Sequence, residues 1–304
     1  MKLGYFPFIC IIKISDINGM NRNENIEWTE RITPKKGLFE INIKELWRYR
    51  DLILLFVKRD FSSTYKQTIL GPLWFLIQPL FTTVVFLILF TKIARLSTGG
   101  LPPVLFYLSG ITLWNYFSDC LSKTSNVFVS NAGIFGKVYF PRMTSPVSIV
   151  ISSLVKFGIQ FLLFLFIYSY YVFIGSIPFQ LRLELLLIPV LVLIMAIQGL
   201  GLGIIFSSLT TKYRDLTFLL QFGIQLLMYA TPIVYPMASV TGKLKLILAL
   251  NPLSALIENM RLIITSSAPV GYGGLTYSAL FAAITLFIGV LVFNRVEKSF
   301  IDTV

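Results

Sequence analysis

The sequence predicts an all-α integral membrane protein with about six transmembrane helices. Hydrophobic residues make up 56% of the 304 residues and charged residues only 13%, whereas a soluble domain carries roughly 25% charged residues. The apolar runs are long enough for bilayer spans, each of which needs about 20 mostly apolar residues. We therefore expect one membrane domain at residues 41–304, preceded by a polar N-terminal extension at residues 1–40.

The N-terminal extension is predicted to be flexible because residues 19–36 are polar and charged. Residues 1–14 contain a short apolar run, but no small-residue cleavage site of a secretory signal follows it. Met20 is therefore a candidate for the true start of the chain.

Residues 43–61 are predicted to form an amphipathic helix. Their apolar side chains recur at steps of about 100°, and a basic helix of this kind lies in the plane of the membrane interface. An ordinary packed helix is the alternative. The apolar stripe consists of Ile43, Leu46, Trp47, Ile53, Leu54, Val57 and Phe61.

The predicted spans follow this interface helix. They cover about residues 72–93, 104–129, 147–174, 185–209, 216–234 and 277–294. Residues 237–274 are too broken for a span, so we expect short re-entrant or surface helices between the last two spans. Basic residues precede the first span, which predicts a cytoplasmic N-terminus, and an even number of spans then places both termini in the cytoplasm. These basic residues are Lys44, Arg48, Arg50, Lys58, Arg59 and Lys66.

Charge and composition exclude several functions. The net charge of +12 is the expected excess of cytoplasmic basic residues in so apolar a chain, and we expect no nucleic-acid partner. The chain has no histidine, which excludes histidine acid–base catalysis and histidine metal sites. Cys10 and Cys120 are far apart in the sequence and suggest neither a disulfide framework nor a metal site. We therefore expect no catalytic and no metal-binding residues.

Phosphate-binding and ion-coupling motifs are also missing. A P-loop needs G-x-x-x-x-G-K-[ST], and the nearest candidate, at residues 136–138, has neither the spacing nor the hydroxyl. Asp119 is the one clear acidic residue within a predicted span. An intramembrane carboxylate can serve a coupled ion, or it can be a packed side chain hydrogen-bonded to a neighbouring helix. Gly199, Gly201 and Gly203 have a spacing typical of close helix packing.

Aromatic residues make up 15% of the chain. Aromatic side chains suit a path for sugar rings, which have apolar faces and hydroxylated edges. An interfacial belt or ordinary packing is the alternative for each of them. The candidates for lining a channel are Trp74, Phe75, Tyr107, Trp114, Tyr229 and Tyr235.

The predicted inner loop at residues 131–146 is short, basic and aromatic. Tyr139 and Phe140 would be costly if they were exposed on a cytoplasmic loop, and docking into another protein would bury them. Anchoring at the membrane interface is the alternative interpretation.

Several motifs together resemble the permease subunit of type-2 ABC exporters for polysaccharides and polyol phosphates, which carry O-antigen, capsule or teichoic acid. The similarity covers about residues 46–298. The motifs are YKQTILGPLW at 65–74, QP at 78–79, G at 110 with LW at 113–114, SNA at 130–132, KVYFPR at 137–142, YRDL at 213–216, TPIVYP at 231–236 and LNPL at 250–253 with Glu258 and Arg261.

The resemblance implies a homodimer in the bacterial cytoplasmic (inner) membrane with two copies of a separate ABC ATPase. ATP and Mg would bind that partner, and this chain would hold no cofactor. The loop that seats in the ATPase maps to Asn131, Lys137, Tyr139, Phe140, Pro141 and Arg142.

Two further sites are implied by the same resemblance. The cytoplasmic entrance for an undecaprenyl-diphosphate-linked polysaccharide maps to Lys58, Arg59, Lys66, Leu70 and Gly71. Its cations would pair with the diphosphate or with anionic membrane lipids. The external gate maps to Asn251, Pro252, Glu258 and Arg261, where the last two residues are one helical turn apart and positioned to pair.

The resulting hypothesis is a permease without its own ATPase site that exports a lipid-linked polysaccharide, as in lipopolysaccharide biosynthesis. An ABC permease for drugs or small lipids is one alternative. It differs from a polysaccharide exporter in that short apolar substrates need no aromatic channel. A membrane-embedded enzyme of cell-envelope assembly is another.

Overall fold

A computed structural model of the chain describes residues 43–66, 68–135, 137–138, 140–177, 182–265 and 269–300. Every regular element in these ranges is helical, which confirms the predicted all-α class. The predicted N-terminal extension and Met20 lie outside the described residues. The α-helices are α1 (Ile43–Arg48), α2 (Arg50–Tyr65), α3 (Trp74–Phe86), α4 (Pro103–Ser125), α5 (Val127–Phe135), α6 (Thr144–Phe173), α7 (Leu187–Lys212), α8 (Leu216–Tyr229), α9 (Lys243–Leu250), α10 (Pro252–Thr265) and α11 (Tyr272–Phe300). Single 3-10 turns lie at Gly71–Leu73, Leu183–Leu186 and Met237–Ser239, and Leu87–Ile93 is π-helical.

Four helical stretches in the described part of the chain are long and apolar enough to cross a membrane. They are Gly71–Ile93, Thr144–Phe173, Leu183–Lys212 and Tyr272–Arg295. Helices α9 and α10 together are also apolar enough, but they meet at an angle of 93°. This pair is either a fifth, broken span or a re-entrant loop. The chain is therefore a multi-pass membrane protein.

The predicted second and fifth spans differ from these four. Helix α4 has 23 residues, which at 1.5 Å per residue is about 34 Å and enough for a bilayer core of about 30 Å. It contains polar side chains, among them Ser109, Thr112 and Thr124, which are buried within the chain. Helix α8 has only 14 residues. The number of six spans thus stays a prediction.

Helix α4 is at the centre of the core. It packs against α6 and α7, and α7 packs in turn against α11. The two α7 contacts are very close. A Cβ atom at Gly199 would lie 2.6 Å from Cys120 Cβ on α4, and a Cβ atom at Gly201 would lie 2.7 Å from the backbone nitrogen of Leu286 on α11. The prediction that these glycines serve helix packing is confirmed.

Replacing Gly201 by alanine should destabilise the protein by about 1–3 kcal/mol, the usual cost of overpacking a core. The three atoms nearest to the added Cβ would be backbone atoms of Thr285 and Leu286, so the helices must move apart. Gly158→Ala is the matched control, because a Cβ atom there has no neighbour within 4 Å. Thermal unfolding of both variants in detergent checks this, and equal melting temperatures would contradict it.

The predicted interface helix is divided into α1 and α2 at Tyr49. One side of α2 packs on α6 and buries Ile53 and Phe56, whereas Trp47 and Leu54 remain 69% and 60% exposed. The predicted apolar stripe omitted Phe56, which packs inside the chain, whereas the exposure of Trp47 and Leu54 is what an interface helix offers to lipid, so the interface position stays a prediction. A helix at a membrane surface has apolar contacts with both protein and lipid, and a single sequence period does not separate them.

Candidate coupling, entrance and gate sites

The segment after α4 carries the residues predicted to couple to an ATPase. Helix α4 ends at Ser125 and is followed by Asn126, whose side-chain nitrogen donates a hydrogen bond to Ser122 O at 3.1 Å, and α5 follows. Beyond α5, the side chains of Lys137 and Val138 are exposed, the latter to 59%. Tyr139 lies outside the described residues. Among the described residues between α5 and Phe140, the exposed tip consists of Lys137 and Val138.

Phe140 does not project from this segment. It is only 5% exposed, and its ring lies edge-on to Phe56 and tilted against Phe135, each at 5.6 Å between centroids. Pro141 is also buried, and the Arg142 guanidinium lies 5.7 Å from the Phe135 ring. The expectation that Phe140 is exposed for docking is wrong, because α2 already buries it.

Arg59 joins the predicted entrance to the predicted coupling segment. Its guanidinium donates two hydrogen bonds to Asp60 Oδ1, at 2.9 and 2.8 Å, and one to Asn131 Oδ1 at 3.4 Å. It also lies 4.7 Å from the centre of the Phe56 ring. Asn131 is itself held in α5 by a 3.1 Å hydrogen bond from its Nδ2 to Val127 O. Arg59 is thus occupied by protein groups.

The other predicted entrance residues are at the surface. Lys58, Lys66 and Leu70 are exposed. Gly71 has a φ of 51°, a left-handed conformation that glycine adopts without steric cost, and it opens the first span. Their role at an entrance stays a prediction.

The predicted gate residues lie together around α10. Asn251 caps this helix by accepting a 3.0 Å hydrogen bond from the Leu253 N–H, and Pro252 occupies the first helical position, which tolerates proline. The Asn251 Nδ2 also donates to Thr231 Oγ1 at 2.9 Å. The cap fixes the start of α10 at the bend between α9 and α10. The bond to Thr231 connects this bend to the turn after α8.

Arg261 is the most constrained of the gate residues. Its side chain is 4% exposed and lies 3.6 Å from Glu258 Oε1, which confirms the predicted pairing. Its guanidinium donates to the carbonyls of Pro232, Ile233 and Phe106 at 2.6, 2.8 and 3.3 Å. One side chain thereby holds α10, the turn after α8 and the start of α4 together.

The six predicted channel aromatics do not share one surface. Trp74 and Tyr229 are exposed, whereas Phe75 and Trp114 are buried. Tyr107 is fully buried, and its hydroxyl shares a 3.1 Å hydrogen bond with the Thr91 hydroxyl. The Tyr235 hydroxyl donates to Tyr229 O at 3.1 Å. Three rings thus pack within the chain, which differs from the expected position along an open path, and a role in a channel stays a prediction.

Asp119 has a partner that the sequence analysis missed. Lys156 on α6 donates to Asp119 Oδ2 at 2.7 Å, with side chains 16% and 23% exposed respectively. This confirms a packed carboxylate bonded to a neighbouring helix. The available signal was a lone lysine inside an apolar span, because intramembrane cations pair with intramembrane acids.

The helices define a multi-pass membrane protein whose broken helix pair is held by a buried arginine. Residues 51–265 match the family model of the ABC-2 type transporter, which is more than half of the 304 residues. The chain belongs to the ABC-2 type transporter family. The family resemblance found in the motifs is confirmed, and the chain is a transporter subunit rather than an enzyme.

Two relatives carry the name of O-antigen export permeases. The chain is 27% identical over 252 residues to the O-antigen export system permease protein RfbA of Klebsiella pneumoniae, covering 83% of this chain and 94% of that one. It is 26% identical over 223 residues to the protein of the same name in Myxococcus xanthus, covering 73% of this chain and 83% of that one. Membership of the family implies an ABC ATPase as partner.

Proposed function

We propose that this chain is the permease subunit of an exporter that moves a lipid-linked polysaccharide across the bacterial cytoplasmic membrane. The similarity to O-antigen export permeases along most of both chains carries this proposal. The cargo would be of the O-antigen, capsule or teichoic-acid kind, carried on undecaprenyl diphosphate. ATP and Mg would bind a separate ATPase, in keeping with a sequence that has no P-loop motif.

The proposed assembly contains two copies of the chain and two ATPase subunits, with both termini in the cytoplasm. The outer surface of α3 and α8 is apolar, with Phe81, Phe218 and Phe222 exposed. These side chains would face lipid or the second copy. Exposed Trp74 and Tyr229 would then be the first aromatic rings available to cargo between the copies.

Coupling to the ATPase would run through α5 and the residues that follow it. Lys137 and Val138 would contact the ATPase. Buried Phe140 would transmit movement of this tip to α2 through Phe56, and the hydrogen bond between Arg59 and Asn131 would provide a second connection.

Val138→Asp should reduce co-purification of the ATPase by about tenfold, as expected when a charge is buried at an interface, while the melting temperature of the permease stays unchanged. Phe140→Ala should instead destabilise the permease by about 3–5 kcal/mol, the usual cost of removing a buried phenylalanine. Tandem affinity purification and thermal unfolding of both variants measure the two effects. Normal ATPase recovery with Val138→Asp would contradict the assignment of the tip.

Deletion of the gene and complementation test the function itself. Loss of the permease should remove the polymer from the cell surface and leave lipid-linked polymer inside the cell. The wild-type gene should restore export only together with a hydrolysis-competent ATPase. Normal surface polymer in the deletion strain would overturn the proposal, and altered drug sensitivity alone would favour a small-molecule permease. Glycosyl transfer by the purified chain would favour an enzyme.

A further inference from the structure

Helix α8 is hydrogen-bonded to other helices near its two ends and packs little between them. Leu220 and Ile224 are the two of its 14 residues that are buried within the chain. Helices α4, α7 and α11 differ from it, because glycines of α7 bring the three backbones into close contact. An element with few buried apolar contacts moves at a lower free-energy cost than close-packed neighbours.

The first two turns of α8 are bonded to the break between α4 and α5. Asn126 lies at this break, with a φ of −104° and a ψ of 9° that depart from helical values. Its Oδ1 accepts a 3.2 Å hydrogen bond from the Thr217 hydroxyl. One turn further along α8, the side-chain amide of Gln221 donates to Ser122 Oγ at 2.6 Å. A change of angle at the break would therefore pull on the start of α8.

The turn that follows α8 is bonded to α10 and to the bend before it. Asn251 at this bend donates to Thr231 Oγ1 at 2.9 Å. Arg261 on α10 donates to the carbonyls of Pro232 and Ile233 at 2.6 and 2.8 Å. A helix of 14 residues is about 21 Å long. Helix α8 thus connects two sets of polar contacts that are separated by roughly its own length.

We propose that α8 carries movement of α5 to the bend between α9 and α10, and that Asn126 and Thr217 are positioning residues for this movement. Side-chain hydrogen bonds suit this role, because each can be exchanged for a bond to water at a small net cost. The close-packed backbone contacts of α7 resist displacement, so α8 would move as a unit against them. The proposal rests on the proposed coupling of α5 to the ATPase.

Electron paramagnetic resonance on the complex of the full chain with its ABC ATPase, in lipid nanodiscs, tests this link. One nitroxide label is placed on α5 at Gly133→Cys, where an added Cβ has no neighbour within 4 Å. In a separate preparation the label is placed on α9 at Lys245→Cys, which is exposed. Both preparations carry Cys10→Ser, and Cys120 is fully buried. ATP with vanadate should change the spectrum of each label.

The double variant Thr217→Val with Gln221→Leu removes both side-chain bonds at the start of α8. The equilibrium constant of the nucleotide-dependent change at Lys245 should then fall by about fivefold or more, since one neutral hydrogen bond contributes about that factor. The change at Gly133 should persist. Thr217→Ser keeps the hydroxyl and should keep the response at Lys245. A merely structural contact would lower the melting temperature and leave this response unchanged.

The double variant Thr211→Val with Gln225→Leu is the matched control. Thr211 is partly buried at the same end of the molecule, but its hydroxyl bonds to Ser207 O of its own helix at 2.6 Å. Gln225 is exposed on α8, one turn after Gln221. The control should therefore respond to nucleotide like the wild-type protein.

Three outcomes would overturn the role of α8. They are a response at Lys245 that survives the loss of both bonds, an equal loss of response in the control, and a response in the wild-type protein at Gly133 alone. A response at neither label would overturn the proposed coupling through α5 as well. The measurement uses no polymer, so an error in the proposed cargo leaves its result valid.

Discussion

Replacing Arg261 by methionine should lower the free energy of unfolding by about 3–5 kcal/mol, because Glu258 loses its ion-pair partner and three backbone carbonyls lose a buried donor. Methionine fills part of the space but donates no hydrogen bond. The carbonyls of Pro232, Ile233 and Phe106 would lose their guanidinium donors, and Glu258 would keep only its 2.8 Å hydrogen bond from the Met237 N–H. Denaturant or thermal unfolding of the purified protein measures the change.

Arg261→Lys separates charge from geometry. A lysine keeps the positive charge, but one ammonium group cannot reproduce the fixed fork of a guanidinium, so an intermediate loss is expected. Arg295→Met is the surface control, because Arg295 is exposed and such substitutions usually change stability by less than about 0.5 kcal/mol. If Arg261→Met proves as mild as Arg295→Met, the buried arginine does not hold α10, α4 and the turn after α8 together.

The features that the sequence predicted well depend on short-range spacing. Glu258 and Arg261 are three residues apart, so helical geometry alone predicts that they meet. The Asn251–Pro252 pair is a local start signal for a helix, and it explains why the stretch after α8 is broken. Long apolar runs likewise predict spans directly, because a bilayer fixes the length of helix that it accepts.

The features that the sequence did not predict depend on contacts between distant segments. Phe140 is 84 positions from Phe56 in the sequence, yet the two rings pack together. The apolar character of Phe140 predicted burial by docking into another protein. It did not predict that Phe56 of the same chain would bury this ring. Tyr107 is a similar case, since its aromatic character suits a channel and a core equally well.

Asp119→Asn should lower the free energy of unfolding by about 2–3 kcal/mol, less than the loss of about 3–5 kcal/mol found on breaking fully buried pairs. The smaller value reflects the remaining exposure of both side chains, 23% for Asp119 and 16% for Lys156. The neutral amide keeps the shape of the carboxylate but leaves the Lys156 ammonium without its counter-charge between α4 and α6. Lys156→Met should have a similar effect, and unfolding of both single variants measures it.

The double variant Asp119→Asn with Lys156→Met should be less destabilised than the sum of the two single variants, because neither charge is then left unpaired. This non-additivity distinguishes a structural ion pair from an ion-coupling carboxylate. If Asp119 carried a coupled ion, Asp119→Asn would stop transport with little loss of stability, and Lys156→Met would not restore it. Export and unfolding measured on the same variants separate the two cases. Additive losses in the double variant would show that the 2.7 Å contact contributes no stabilising pair.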